Sequence, residues 1–198
     1  MINNNPQFDK YLELLLKWNK TYNLTSITDP KEILAKHFED SLAPLKFIPD
    51  DGKLLDLGAG GGFPGIPIKI ERPTLQVDLI EATQKKINFM NEVIRQLGLK
   101  NIRAIHGRAE MIYQQSERYD IVISRATWNL AEYLFIAEKY LNPNGKIIAM
   151  KGKKAIDELD CATEIISDLN LRLIDTYKYT LSDSNSERTL FVFKKMTL

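Results

Sequence analysis

The stretch Lys53–Gly65, KLLDLGAGGGFPG, decides the fold. It reads as a short apolar strand reaching Asp56 and turning at once into a loop with glycines at 58, 60, 61, 62 and 65. Glycine lacks Cβ, so such a loop can take positive φ and let a ligand lie against its backbone. At the carboxyl end of the first strand of an α/β sheet, that is the usual seat of a nucleotide-like ligand. Two registers compete. Read as G-x-G-x-x-G, Gly60, Gly62 and Gly65 match the dinucleotide fingerprint, but the first glycine comes late and Pro64 falls inside the motif. Read as D-x-G-x-G-x-G, Asp56, Gly58, Gly60 and Gly62 match with a glycine directly after the strand. In a frame anchored on Gly58, Phe63 occupies the last glycine position, which excludes a dinucleotide motif. The second register is favoured.

Outward from the loop, strands and helices alternate. Expected strands are Lys53–Leu57, Leu75–Glu81, Ile102–His106, Tyr119–Ser124 and Lys146–Lys151. Helices are expected at Pro64–Glu71, Gln84–Leu97, 109–115, Leu130–Leu141 and Lys154–Leu169. This alternation predicts a parallel, doubly wound sheet. Leu171–Thr180 and Thr189–Lys195 are joined by a loop alone, so they are expected to pair antiparallel at one edge. The sum is an α/β fold: a Rossmann-like, mostly parallel seven-stranded sheet with an antiparallel C-terminal hairpin. That is the architecture of class I S-adenosylmethionine-dependent methyltransferases, whose cofactor loop the second register also resembles. Residues 1–50 read as an N-terminal helical cap belonging to the same domain, and residues 51–198 as the cofactor-binding core. In the cap, Asn5-Pro6 opens one helix, with Phe8, Tyr11, Leu12, Leu15 and Trp18 at helical spacing. Asp29-Pro30-Lys31-Glu32 has the form of a capping box and opens another.

Bulk properties bound the function. The chain of 198 residues suits one domain, and its 44% hydrophobic and 27% charged residues suit a globular protein. No apolar run approaches the roughly 20 residues of a membrane span. The N-terminal helix carries charges through its apolar part, so it does not read as a signal peptide, and a cytoplasmic location is expected. A net charge of +1 gives no global case for nucleic acid, though a local basic patch stays open. With His37, His106 and Cys161 as the whole complement of those residue types, no metal site is expected. Cys161 is expected in the core of the last helix.

Candidate site residues lie at strand ends. Glu81 ends the second strand, where an acidic side chain can accept both ribose hydroxyls of a nucleoside cofactor. Its alternative role is to cap the next helix. Ala109 and Glu110 follow the third strand, where adenine would lie. The fourth strand ends in Ser124-Arg125-Ala126, opposite the expected position of a transferred methyl group. An asparagine-proline-proline-aromatic tetrapeptide, which grips an exocyclic amine, is missing there. A cysteine for attack on a pyrimidine is missing too. An acceptor that is already nucleophilic, such as a ring nitrogen with a lone pair, needs neither; it needs positioning.

Four segments together resemble the RsmG (GidB) family: HFEDSL at His37–Leu42, LLDLGAGGGFPGIP at Leu54–Pro67, ISRA at 123–126 and AMKG at Ala149–Gly152. The resemblance spans nearly the whole chain. It implies transfer of a methyl group from S-adenosylmethionine to N7 of a guanine in the 16S ribosomal RNA of the small subunit, leaving S-adenosylhomocysteine. It also places Gly58, Phe63, Ala109, Glu110 and Arg125 on cofactor-contacting positions, with Gly60 and Glu81 beside them from the loop reading. His37 and Asp40, neighbours on the cap helix, line the guanine pocket or hold Arg125; a plain surface pair or a core histidine is the alternative. Asp40 is expected to face the charge that develops on the methylated base. Lys151 is expected to meet RNA at the end of strand five, on a rim with Lys153, Lys154, Arg108 and Arg125, unless it is merely solvated. Phe63 is otherwise a core ring beneath the loop. A monomer is expected. The competing functions are a small-metabolite methyltransferase, a nicotinamide-dependent reductase and a cofactor-sensing RNA-binding assembly protein without turnover.

Overall fold

A computed structural model describes residues 5–113, 117–125, 127–182 and 186–196. Helix α1, Pro6–Tyr22, starts where Asn5 accepts from the Gln7 N–H, with proline in the first turn. The second cap helix is not uniform. It runs as α2 (Pro30–Ile33), a π-helical segment (Leu34–Glu39), α3 (Asp40–Leu42) and a 3₁₀ turn (Ala43–Phe47). Asp29 caps it by accepting from the Lys31 and Glu32 N–H groups, but Glu32 pairs forward with Lys36 and does not close the capping box.

The core alternates β1 (Lys53–Leu57), α4 (Gly65–Glu71), β2 (Gln76–Glu81), α5 (Gln84–Gln96), β3 (Ile102–His106), α6 (Ala109–Ile112), β4 (Tyr119–Arg125), α7 (Leu130–Glu138) and β5 (Leu141–Lys151). Then come α8 (Ala155–Cys161), α9 (Thr163–Asp168), β6 (Leu171–Thr180) and β7 (Glu187–Lys195). The seven strands lie in the order β3-β2-β1-β4-β5-β7-β6. The pairs from β3 to β5 are parallel, and β7 runs antiparallel between β5 and β6. The expected doubly wound sheet and terminal hairpin are therefore present. Strand order reverses between β1 and β4, where ligands bind in open α/β sheets.

Side chains of β1 and β4 alternate between two cores. Leu54, Ile121 and Ile123 join Phe8, Tyr11, Phe38, Phe63, Leu79 and Phe89 on one face. Leu55, Leu57 and Val122 join Leu130, Tyr133, Tyr140 and Phe193 on the other. This period of two is what a sheet covered on both faces requires. The cap shares the first of these cores. Asp56 faces the same side as Leu54 and is wholly buried under the loop. Among the described residues, no helix is long and apolar enough to cross a membrane.

Several boundaries differ from expectation for identifiable reasons. The run Asn142-Pro143-Asn144-Gly145 carries turn residues, yet it forms the bulged start of β5: Tyr119 pairs with Leu141, the register shifts, and Asn144 takes φ 65°. The long helix expected at Lys154–Leu169 breaks at Ala162, whose methyl is buried in the second core. Cys161 is not a core residue. The break turns it to solvent, and Ala162 takes the interior position. Of the helix expected over 109–115, residues 114 and 115 lie outside the described residues.

Close packing under the loop is tightest at Gly65. A Cβ there would collide with Leu79 Cδ2 and come within 2.9 Å of Asp56 Oδ2. Gly65→Ala is expected to cost about 1–3 kcal/mol in urea unfolding. Gly152→Ala, where an added Cβ meets nothing within 4 Å, should stay within about 0.5 kcal/mol of the parent.

Candidate active site at the glycine loop

The loop is pinned from three directions. The Gly58 and Ala59 N–H groups donate to Ile80 C=O at 2.9 and 3.0 Å, tying the loop to the end of β2. Gly60 N–H donates to Glu81 Oε2 at 3.0 Å. Gly65 N–H donates to Asp56 Oδ2 at 2.8 Å, closing the turn from strand to helix. Burial pushes the Asp56 carboxyl up to about 7, against the pull of that Gly65 bond. Gly58 and Gly62 have φ of 69° and 94°. A Cβ at Gly58 would lie 2.7 Å from Thr127 Oγ1, so glycine here serves both conformation and space.

Two cavities meet at Gly58. One, of about 180 Å³, is lined by Glu81, Arg108, Ala109, Glu110, Thr127 and Trp128 among others. The second, of about 170 Å³, lies between the loop and the cap, against Thr25, His37, Phe63 and Arg125. Together they reach the lower end of the small-ligand range, roughly 300–1,000 Å³. In the first cavity, Glu81 Oε1 also accepts from Thr83 N–H, the N-cap residue of α5. The carboxylate thus serves the helix start as well as the loop, and each oxygen keeps a second lone pair. The Trp128 indole N–H donates to Glu110 Oε1 at 2.9 Å, which sets the far wall.

At the second cavity the structure brings together Arg125, His37 and Phe63, with Asp40 behind Arg125. Arg125 at the end of β4 donates to Lys36 C=O at 2.8 Å, to Asp40 Oδ2 at 3.2 Å and to His37 Nδ1 at 3.1 Å. Its guanidinium carbon stands 5.5 Å from the centre of the Phe63 ring. The His37 ring stacks on Phe63 at 4.9 Å. Because His37 Nδ1 accepts from Arg125, the proton belongs on Nε2, which lies 3.1 Å from Thr25 Oγ1. Burial, then Arg125, then Lys36 lower its pKa to about 3, so the imidazole is neutral.

The π-helical segment explains how the cap reaches Arg125. In an α-helix the Asp40 N–H would bond Lys36 C=O. Here it turns to Ala35 C=O and His37 C=O, while Arg125 donates to Lys36 C=O. Such bulges re-aim side chains at functional sites.

Two expected roles are displaced. Asp40 is 3% exposed, and both of its oxygens are engaged within the protein: Oδ2 with Arg125, Oδ1 with the Tyr179 hydroxyl at 2.6 Å and, at 3.8 Å, with Arg188. It does not line the second cavity but holds Arg125, the other role expected of it. Burial beside Asp40 holds the Tyr179 hydroxyl well above its usual range, so it remains a donor. Lys151 is not on the rim. It is 5% exposed, donates to Trp128 C=O at 2.6 Å and pairs with Glu158 at 2.8 Å, because the loop after β4 needs its carbonyl satisfied. Lys153, Lys154 and Arg108 are each exposed. Ala126 lies outside the described residues.

Sequence reasoning missed Tyr11, Thr25, Trp128 and Tyr179. Tyr11 stacks on Phe63 at 5.0 Å and its hydroxyl donates to Gly61 C=O. The buried Asn19 side-chain amide donates to Thr25 C=O and accepts from Thr25 N–H, holding Thr25 beside His37. Helical spacing marked Tyr11 as a core position; nothing local marked the others.

This fold and loop define a class, the S-adenosylmethionine-dependent methyltransferases. A methyltransferase from Pyrococcus furiosus superposes with a TM-score of 0.71 at 15% identity, over 100% of both chains. A SAM-dependent methyltransferase from Aquifex aeolicus gives 0.67 at 16% identity, over 88% of this chain and 97% of the other. The family model described as GidB, rRNA small subunit methyltransferase G, matches residues 4–178, and the chain belongs to that family. The ribosomal RNA small subunit methyltransferase G of Desulforamulus reducens is 45% identical over 96% of this chain and 81% of its own length.

The neutral histidine gives a pH signature. A folded pKa near 3 against about 6.5 unfolded means that the unfolded chain binds the extra proton between those values. This contribution is present above pH 6.5 and is lost as pH falls toward 3. The stability difference between the parent and His37→Gln, from urea unfolding, should shrink by about 2 kcal/mol between pH 7.5 and pH 5.

Proposed function

We propose that this enzyme transfers the methyl group of S-adenosylmethionine to N7 of a guanine in 16S ribosomal RNA. It would act as a cytoplasmic monomer on the small ribosomal subunit. The observation that carries the acceptor class is the saturation of the site's bases. His37 uses one ring nitrogen toward Arg125 and the other toward Thr25, and Asp40 is committed to Arg125 and Tyr179. Neither is placed to remove a proton from an acceptor. A guanine N7 has a lone pair and no proton, so it requires no general base.

The chain's residues fit the cofactor as follows. The spare lone pairs of Glu81 would accept the ribose hydroxyls. The first-turn N–H groups of α6, at Ala109 and Glu110, and the Glu110–Trp128 wall would receive adenine. Gly58 and Gly60 let the chain pass close to the ligand. The cofactor, when bound, supplies an electrophilic methyl on a sulfonium. Phe63 and Arg125 form the other wall, and Arg125 holds a fixed position between cofactor and acceptor. The base must be unstacked to enter, at a cost of a few kcal/mol. The exposed Arg108, Lys153 and Lys154 would meet phosphates.

The pure protein with labelled S-adenosylmethionine and small ribosomal subunits should place label on RNA as a cationic N7-methylguanine. Label on an exocyclic amine, label on protein, or cofactor binding without turnover would refute the assignment. In calorimetry Glu81→Gln should weaken S-adenosylmethionine binding about tenfold or more, and NADH should give no heat. Arg125→Ala should lower turnover by at least about tenfold.

A further inference from the structure

The C-terminal hairpin reaches the site through one hydroxyl. Tyr179 stands near the end of the edge strand β6, across from Arg188 on β7. Its hydroxyl donates to Asp40 Oδ1 at 2.6 Å, and the other Asp40 oxygen holds Arg125. The carboxylate sits between two guanidinium groups, Arg125 at 3.2 Å and Arg188 at 3.8 Å. A buried carboxylate in that position can turn toward either cation. The Tyr179 hydroxyl occupies one lone pair of Oδ1 and leaves Oδ2 directed at Arg125.

We propose that Tyr179 is a positioning residue for methyl transfer, fixing Arg125 against Phe63 and His37 through the Asp40 carboxylate. The inference rests on the assignment of Arg125 to the methyl-transfer site. The Tyr179 ring is held independently of its hydroxyl. It stacks on Tyr177 at 5.6 Å, and Tyr177 is gripped by Phe47 and by Lys46 Nζ, 3.1 Å from its ring centre. A second clamp, Glu39 to the Ser182 N–H and hydroxyl, also ties hairpin to cap. Tyr179→Phe therefore removes the hydroxyl and leaves the docking in place.

The test is a double-mutant cycle on the full chain, with small ribosomal subunits as acceptor. Tyr179→Phe should lower turnover about tenfold in the parent, but less than about threefold in Arg125→Lys, whose ammonium cannot span Asp40, His37 and Lys36 C=O together. Ser182→Ala, which loosens the other clamp, should keep turnover within about twofold of the parent. Full activity in Tyr179→Phe, equal losses in both backgrounds, or a Ser182→Ala loss matching that of Tyr179→Phe would overturn the inference. An Arg125→Lys enzyme of full activity would overturn the role of Arg125 as well, whereas an impaired one beside an active Tyr179→Phe would overturn only the role of Tyr179.

Discussion

Arg125 is a charge brought into the protein at the mouth of its central strand, and the site is organised around that fact. Taking a cation out of water costs several kcal/mol unless an anion and hydrogen-bond acceptors replace the solvent. Sheet residues cannot provide them, since the strand ends there. The cap provides all of them: a carboxylate, a carbonyl and an imidazole lone pair. An α-helix would spend the Lys36 carbonyl on Asp40 N–H. The π-helical segment diverts that N–H and so offers main-chain and side-chain acceptors to one guanidinium.

The same demand links the cap to the cofactor loop. Phe63 receives Arg125 and His37 on its side of the cavity and is stacked by Tyr11 as well. Tyr11 then bonds to Gly61 C=O, so α1 grips the loop by both ring and hydroxyl. The aromatic that broke a dinucleotide motif is thus the plate on which the cap and the glycine loop meet. Its environment joins the two expected roles, since the ring belongs to the core and also walls the second cavity.

Legibility from sequence followed the range of the interaction. Alternating apolar runs and the Asp56–Gly58 register are local signals, and they placed the sheet, its hairpin and the loop. The helix opened by Asp29-Pro30 reads as plain helix because His37 and Asp40 fall on neighbouring turns; the π-helical register answers a demand from β4, far away in the chain. Asp40 reads as facing the methylated base or holding Arg125, and Lys151 as a rim charge, for similar reasons. Their partners, Tyr179 and Arg188 for one, Trp128 C=O and Glu158 for the other, are fixed only by tertiary packing. At Cys161 a single turn of the backbone reversed inside and outside. In Asn142–Gly145 the turn chemistry is real, and the sheet absorbs it as a bulge.

The charge balance of the site bears on what chemistry it can assist. Methyl transfer from a sulfonium to a neutral ring nitrogen moves one positive charge from donor to acceptor and creates none. A site for this reaction has no new ion to neutralise, in contrast to acyl transfer with its oxyanion. Fixed, mutually satisfied charges suit that case. Arg125 is paired with Asp40, whose other oxygen is held by Tyr179 and Arg188, and His37 stays neutral far below physiological pH. Rate then depends on holding donor and acceptor in line, where an ångström of misplacement can cost about a hundredfold. A rigid guanidinium, tied at three points and backed by a phenyl ring, meets that requirement better than a titrating base would.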